Sequence, residues 1–272
     1  MTTYRRLAWA AVVVAYLLIV LGAVVRITGS GLGCGNHWPL CNGRLLPPLD
    51  LPTIIEYGHR LVAAAVSLLV VGLAAMTWWI RRGADSSLPS APGKAPYLAV
   101  SLLLVQVTLG AVTVKLDLPP WTIILHLGTA MLLLATLIYA ARGTRGLHPE
   151  PAHAAILLLV FVTVLMGALT ANLGAASACL GFPLCNGQIL PDGNRFQYIQ
   201  WMHRLLAYSL VLSAVVWAAR ERRPGPRWVL GLVLLQVVVA AAMVLGGLPA
   251  PLRAAHVAVG AAVWGTAVLA AL

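Results

Sequence analysis

The sequence predicts an all-α integral membrane protein. Its eight transmembrane helices form two tandem parallel four-helix bundles, with the N- and C-termini both cytoplasmic. Three observations carry this expectation. The chain is 61% hydrophobic and only 9% charged, with a mean hydropathy of +0.91, whereas a soluble domain carries roughly 25% charged residues. Apolar runs of membrane-spanning length recur along it, and short motifs recur at matched spacing in its two halves.

A helix needs roughly 20 apolar residues to cross a hydrocarbon core ~30 Å thick. Eight runs meet that length: 7–26, 53–80, 96–115, 121–141, 152–172, 198–220, 227–247 and 251–272. The first follows Arg5 and Arg6, as in a signal peptide. It is too long for an h-region and no small-residue cleavage site closes it, so it reads as a retained helix. A net charge of +11 could mean nucleic acid, but the positions argue for the lipid bilayer. With the N-terminus inside, the inner segments hold eleven cations (Arg5, Arg6, Arg81, Arg82, Lys94, Arg142, Arg145, Arg220, Arg222, Arg223, Arg227), and the outer ones hold five (Arg26, Arg44, Lys115, Arg195, Arg253). That is the positive-inside bias, and it predicts a multi-pass plasma-membrane protein with both ends inside.

The halves are copies. PLCNG stands at 39–43 and 183–187, HRL at 59–61 and 203–205, and Cys41 to His59 spans 18 residues, as does Cys185 to His203. LLLVQV (102–107) pairs with LVLLQV (232–237), and Gln106 to His126 spans 20 residues, as does Gln236 to His256. A tandem duplication with halves 1–145 and 146–272 follows. An even helix count per half makes the repeats parallel. The link 81–96 is polar and rich in Pro, Ser and Gly, and reads as a loop without function.

Of seven histidines, His37, His148 and His153 read as solvated. His59, His126, His203 and His256 differ, because each follows the start of an inward-running helix by about six residues, some 9 Å below the outer boundary at ~1.5 Å per residue. Ionisable groups inside a membrane mark a site. Two imidazoles per half, on different helices and without thiolate or carboxylate partners in each half, suit axial ligation of haem iron. Zinc would recruit further protein ligands. Two haem pockets toward the outer face are therefore expected.

The pockets are unequal. EYGHR (56–60) places Glu56 one turn from His59 and Arg60, whereas the matching positions in the second half are Gln200, His203 and Arg204. A buried carboxylate can move a proton or stabilise positive charge, and an amide can do neither. The first half is the candidate for chemistry. The alternative for Glu56 is an ion pair with Arg60 that settles the helix. Arg60 and Arg204 are candidates to grip haem propionates, with Gln200 beside them. Cys34/Cys41 and Cys179/Cys185 fall in outer loops, where disulfides form in an oxidising compartment. For Cys34/Cys41, beside Glu56, a redox or substrate-holding thiol pair is the second reading.

Together, RITGSGLGC…WPLCNG (26–43), EYGHR, His126, PLCNG (183–187), MHRLLAY (202–208) and His256 resemble the haem A synthase family over nearly the whole chain. The resemblance implies oxidation of the C8 methyl of haem O to the formyl group of haem A, for terminal oxidases. It places the substrate haem on His59 and His126 in the first half and a haem b cofactor on His203 and His256 in the second. It also makes Glu56 an essential glutamate, gives Cys34/Cys41 a redox or substrate-holding role, and implies a haem O-producing farnesyltransferase as a partner. An electron donor or acceptor is required and is not identified by the residues. Three rivals stand beside this reading. A di-haem b-type cytochrome taking electrons from quinol leaves Glu56 unexplained. A disulfide-generating oxidoreductase leaves the histidines idle, and a metal transporter would place its ligands near the midplane.

Overall fold

The computed structural model describes residues 2–83, 93–143 and 150–272. Most of the 81–96 link, together with Arg145 and His148, lies outside them. Among the described residues all regular structure is helical. The helices are α1 (Thr2–Ile27), α2 (Leu51–Gly83), α3 (Ala95–Lys115), α4 (Pro120–Arg142), α5 (Pro151–Asn172), α6 (Arg195–Arg220), α7 (Pro224–Leu245) and α8 (Ala250–Ala271). All eight are long and apolar enough to cross a membrane. The expected runs sit inside these bounds to within two residues, but α1, α2, α6 and α7 reach further. Apolar runs stop at the first polar residue, whereas helical hydrogen bonding continues through Arg5, Arg6, Arg81 and Arg82. At about 1.5 Å per residue, α2 spans about 50 Å, so it overshoots a ~30 Å core.

The chain divides into two compact units, Met1–Leu118 with Thr129–His148, and Pro119–Gly128 with Pro149–Ala271. In the first, α1 packs along α2 and α2 along α3. Ala8, Ala11 and Ala15 form a buried stripe on α1, and Val66, Val70, Leu73 and Thr77 form one on α2. Small side chains let helices approach closely where lipid supplies no hydrophobic push. In the second unit α5 packs on α6 and α8, α6 on α7, and α7 on α8. Phe161 of α5 meets Trp264 of α8 with ring centroids 5.5 Å apart. Leu68, Leu104, Leu158, Leu212 and Val238 are 64–77% exposed, an arrangement that suits lipid and not water. At the end of α2, exposed Trp78 stacks under Arg82 at 3.8 Å, an interfacial pairing of aromatic ring and cation.

Two helix starts are capped by side chains. Asn194 accepts from the amides of Phe196 and Gln197 at 3.0 and 3.4 Å, and Asp50 accepts from that of Thr53 at 3.1 Å. Hydrogen bonds from Thr53 hold the Asp50 carboxyl below the usual carboxylate range.

His37 is exposed, as expected, but the expectation for His153 is corrected. It is 6% exposed, pairs through Nε2 with Oε1 of Glu221, and lies 5.3 Å from the Trp217 ring. Trp217 Nε1 donates to the same oxygen at 3.0 Å, and Arg223 binds Oε2 at 3.0 and 2.5 Å. His153 opens α5 and Glu221 follows α6, so the pair exists only once those helices pack. Arg223 first, then His153, draws the Glu221 carboxyl down from 4.5 to about 2. A depressed carboxylate adds stability above its unfolded pKa and loses it as pH falls through the folded one. The window here runs from about pH 4.5 down to about 2. Glu221→Gln should lower the thermal midpoint of the detergent-solubilised protein at neutral pH and remove that acid-side loss. Parallel pH profiles for the two proteins would show that the cluster carries no stability.

Candidate functional site

Each half seats a disulfide-closed loop on the mouth of its second helix. Cys34–Cys41 and Cys179–Cys185 are bonded, and all four cysteines are buried. The repeated PLCNG makes the same tight turn twice. Asn42 and Gly43 have φ of 51° and 73°, and Asn186 and Gly187 have 52° and 84°. This left-handed pair is what a two-residue type I′ turn needs and Asn-Gly readily supplies. Cys41 pairs with Arg44 across the first turn and Cys185 with Gln188 across the second.

The i, i+4 pair at the start of each helix holds the loop. In the first half, Glu56 is 3% exposed. Its Oε2 accepts the Cys34 amide at 2.7 Å, and its Oε1 meets Arg60 Nη2 at 2.5 Å. Arg60 Nη1 donates to the carbonyls of His37, Pro39 and Leu40 at 2.9, 3.3 and 3.0 Å. The ion pair weighed from the sequence is thus formed, and the carboxylate also latches the loop. In the second half Gln200 accepts the Cys179 amide at 2.6 Å, and its nitrogen donates to the carbonyls of Ala176 and Cys179 at 3.0 and 3.4 Å. Arg204 Nη1 gathers the carbonyls of Gly181, Pro183 and Leu184 at 2.7, 3.3 and 2.8 Å, and Nη2 takes that of Cys179 at 2.7 Å. Both arginines spend these donors on loop carbonyls, a use that nothing in the sequence pattern signals.

The four histidines stand near the starts of their helices. His59 and His203 come eight residues into α2 and α6, and His126 and His256 come six into α4 and α8. The stagger is the same in each half. Within the second unit His203 and His256 face each other, their centroids 6.5 Å apart and their planes at 80°. Two metal–nitrogen bonds of about 2 Å each plus the two ring radii span such a gap. His203 is buried in the helix pack, with the backbone of Thr163 on α5 within its hydrogen-bonding reach. Behind the ring stands Gly167 of α5, where a Cβ would meet His203 Cε1 at 3.0 Å. Gly22 of α1 backs His59 in the same way, at 3.2 Å. The repeat contains this signal, as LGA (21–23) against MGA (166–168), although nothing in either triplet marks the ring that lies against it. His126 falls in the second unit and His59 in the first, each described within its own. Among the described residues no three His, Cys, Asp or Glu side chains are placed to hold a bare metal ion. A facing imidazole pair with a glycine behind the His203 ring fits haem iron.

Fold and site together define a multi-pass helical membrane protein in which two imidazoles, His203 and His256, stand opposite each other within the second unit. The family model described as cytochrome oxidase assembly protein, COX15-CtaA, matches residues 5–54 and 51–268. The chain is 31% identical over 293 aligned residues to the heme A synthase of Symbiobacterium thermophilum, covering 97% of this chain and 93% of the relative. It is 32% identical over 250 residues to that of Bacillus licheniformis, covering 82% and 79%. With that of Shouchella clausii it shares 34% identity over 226 residues, covering 76% and 73%. The chain belongs to the haem A synthase family.

One steric contact distinguishes the first loop. A Cβ on Gly33 would sit 2.5 Å from the backbone carbon and oxygen of Pro52, and backbone cannot swing aside as a side chain can. The residue before the first cysteine of the second loop is Ala178, so that loop already carries the methyl group. Gly33→Ala should therefore destabilise the fold by about 1–3 kcal/mol as an overpacking substitution, while Ala178→Gly costs only the backbone-entropy difference of about 0.4–1 kcal/mol. Thermal unfolding of both variants in detergent checks the contrast, and equal midpoints would refute it.

Proposed function

We propose that the chain divides haem A formation between its halves. In 1–145 the substrate haem O would lie on His59 and His126, and in 146–272 a haem b cofactor would lie on His203 and His256. Membership of the family makes the chain a haem A synthase, an enzyme of haem A formation. The division of labour is the proposal. Its carrying observation is the 6.5 Å facing pair, His203 and His256. The first site is supported by the repeat, which sets His59 against Gly22 as it sets His203 against Gly167. The two halves are read as parallel four-helix bundles with both termini cytoplasmic and the disulfide loops outermost, a reading supported by the eleven-to-five split of cations.

When bound, haem b supplies one-electron transfer. The residues around it orient and enclose. His203 and His256 ligate, Gly167 lets the His203 ring lie against α5, and Gln200 with Arg204 pins the loop that keeps water from the pocket. In the first half the C8 methyl carbon of haem O goes to the alcohol and then to the gem-diol. With water as the oxygen source, each step would add one hydroxyl and release two electrons and two protons, the electrons leaving to the external electron partner, and loss of water from the gem-diol would then leave the aldehyde. Glu56 is the catalytic carboxylate, stabilising positive charge on that carbon or accepting its proton, while Arg60 and the Cys34 amide fix its two oxygens in place. Cys34 and Cys41, the catalytic candidates beside it, act as the staple that presents this amide. An upstream farnesyltransferase provides haem O, and an external electron partner exchanges electrons with the second half.

Acid extraction and chromatography of haems after co-expression with a source of haem O tests this. Haem B together with haem A or a hydroxylated haem O is the expected result. Haem B alone, with haem O supplied and left unconverted, would mean a plain electron-transfer cytochrome. Glu56→Gln should retain haem and lose haem A formation by at least 10²-fold, the usual scale for a positioned acid–base group. Normal output would reduce Glu56 to a loop latch. His203→Ala should purify without haem b while haem O is still bound, and a full haem b complement in this variant would exclude His203 as a ligand.

A further inference from the structure

A ligated imidazole presents its second ring nitrogen as an N–H, and that group needs an acceptor to fix the ring and tune the metal. On α7, Gln236 reaches across to His256 of α8. Its amide nitrogen is 3.0 Å from the His256 carbonyl oxygen, 3.1 Å from Nδ1 and 3.3 Å from Nε2. Its Oε1 is buried with no hydrogen-bond partner. An unpaired buried amide oxygen costs about 1–3 kcal/mol, so its position calls for a reason. Gly260, one turn beyond His256, makes room for the amide, since a Cβ there would meet Gln236 Nε2 at 3.3 Å. The spacing is duplicated, with Gln106 preceding His126 by the same 20 residues.

We propose that Gln236 is a positioning residue for the second-half haem: with its amide turned, Oε1 accepts the His256 ring N–H that points away from iron and so fixes the imidazole from the neighbouring helix. The terminal torsion of glutamine is broad and roughly two-fold, so the amide can present oxygen to the ring without moving α7. This rests on the reading of His203 and His256 as haem b ligands. Acceptance of the ring proton makes the imidazole more basic, which favours ferric over ferrous iron and lowers the reduction potential.

The test is a redox titration of the purified full-length protein with its haem b, together with the low-spin ferric EPR spectrum, for wild type, Gln236→Met and Gln236→Glu. Methionine keeps the length and removes both hydrogen-bonding groups. The potential should rise in Gln236→Met and fall below wild type in Gln236→Glu, with the EPR g-values moving in both. If Gln236→Met instead loses haem, retention by Gln236→Glu supports the same role through rescue by an acceptor. Potentials and g-values unchanged in both variants would overturn the proposal and leave the ligand assignment intact, as would haem loss that Gln236→Glu does not repair. Wild type without haem b would overturn the ligand assignment itself, and this inference with it.

Discussion

A loop folded onto the mouth of a membrane helix turns carbonyl oxygens toward that helix, and any left unpaired where water is scarce costs free energy. This protein meets that constraint twice with one device, an arginine on the third turn of the helix beneath. Arg60 collects three loop carbonyls and Arg204 collects four. The disulfide and the Asn-Gly turn shorten the loop enough for its carbonyls to converge on one guanidinium, whose planar fork of donors matches them. Everything below depends on this closure. The histidine one residue before each arginine is carried on the same turn of helix, so anchoring the arginine also fixes the height and rotation of the imidazole.

The two halves then differ by an ion against an amide. Glu56 and Gln200 both receive the amide of the first loop cysteine, at 2.7 and 2.6 Å. Gln200 shows that a neutral side chain is enough to latch the loop. A buried ion pair adds little net stability over a neutral replacement, yet breaking it by removing one partner costs about 3–5 kcal/mol. Stability alone therefore gives no reason to keep a carboxylate where an amide does the same structural work. What the carboxylate adds is a negative charge within two turns of the helix mouth, next to a histidine. That charge is what oxidation at a carbon centre can use, and its counterpart in the second half can offer only a dipole.

Much of this was legible in the sequence because spacing survives folding. The eight helices, the duplication, the four histidines and the two cysteine pairs are all patterns of residue type along the chain, and lipid enforces them by forbidding unpaired backbone. What was not legible depends on where helix sides meet. Gly22 and Gly167 look like ordinary glycines of apolar helices until an imidazole is found against each one. His153 looked solvated because its partner Glu221 lies 68 residues away. The propionate role expected of the arginines is one that EYGHR suggests, whereas their hydrogen bonds to loop carbonyls depend on how the preceding loop folds back, which nothing in EYGHR states.

The acidic residues make the same point by their scarcity. The chain has seven, and the structure gives three of them a defined task. Asp50 caps α2, Glu221 gathers His153, Trp217 and Arg223 at the far end of the second unit, and Glu56 latches the first loop. Asp50 and Glu221 sit beyond helix ends, where water shares the cost of a charge. Among the described residues Glu56 alone lies within one of the eight spans, where desolvation is greatest. A chain this sparing with carboxylates has placed one in the most expensive position available, in only one of two otherwise matching sites. A scaffold role would have been served by duplicating either residue. The asymmetry is accounted for if the two pockets have different work, one holding a haem and the other also transforming one.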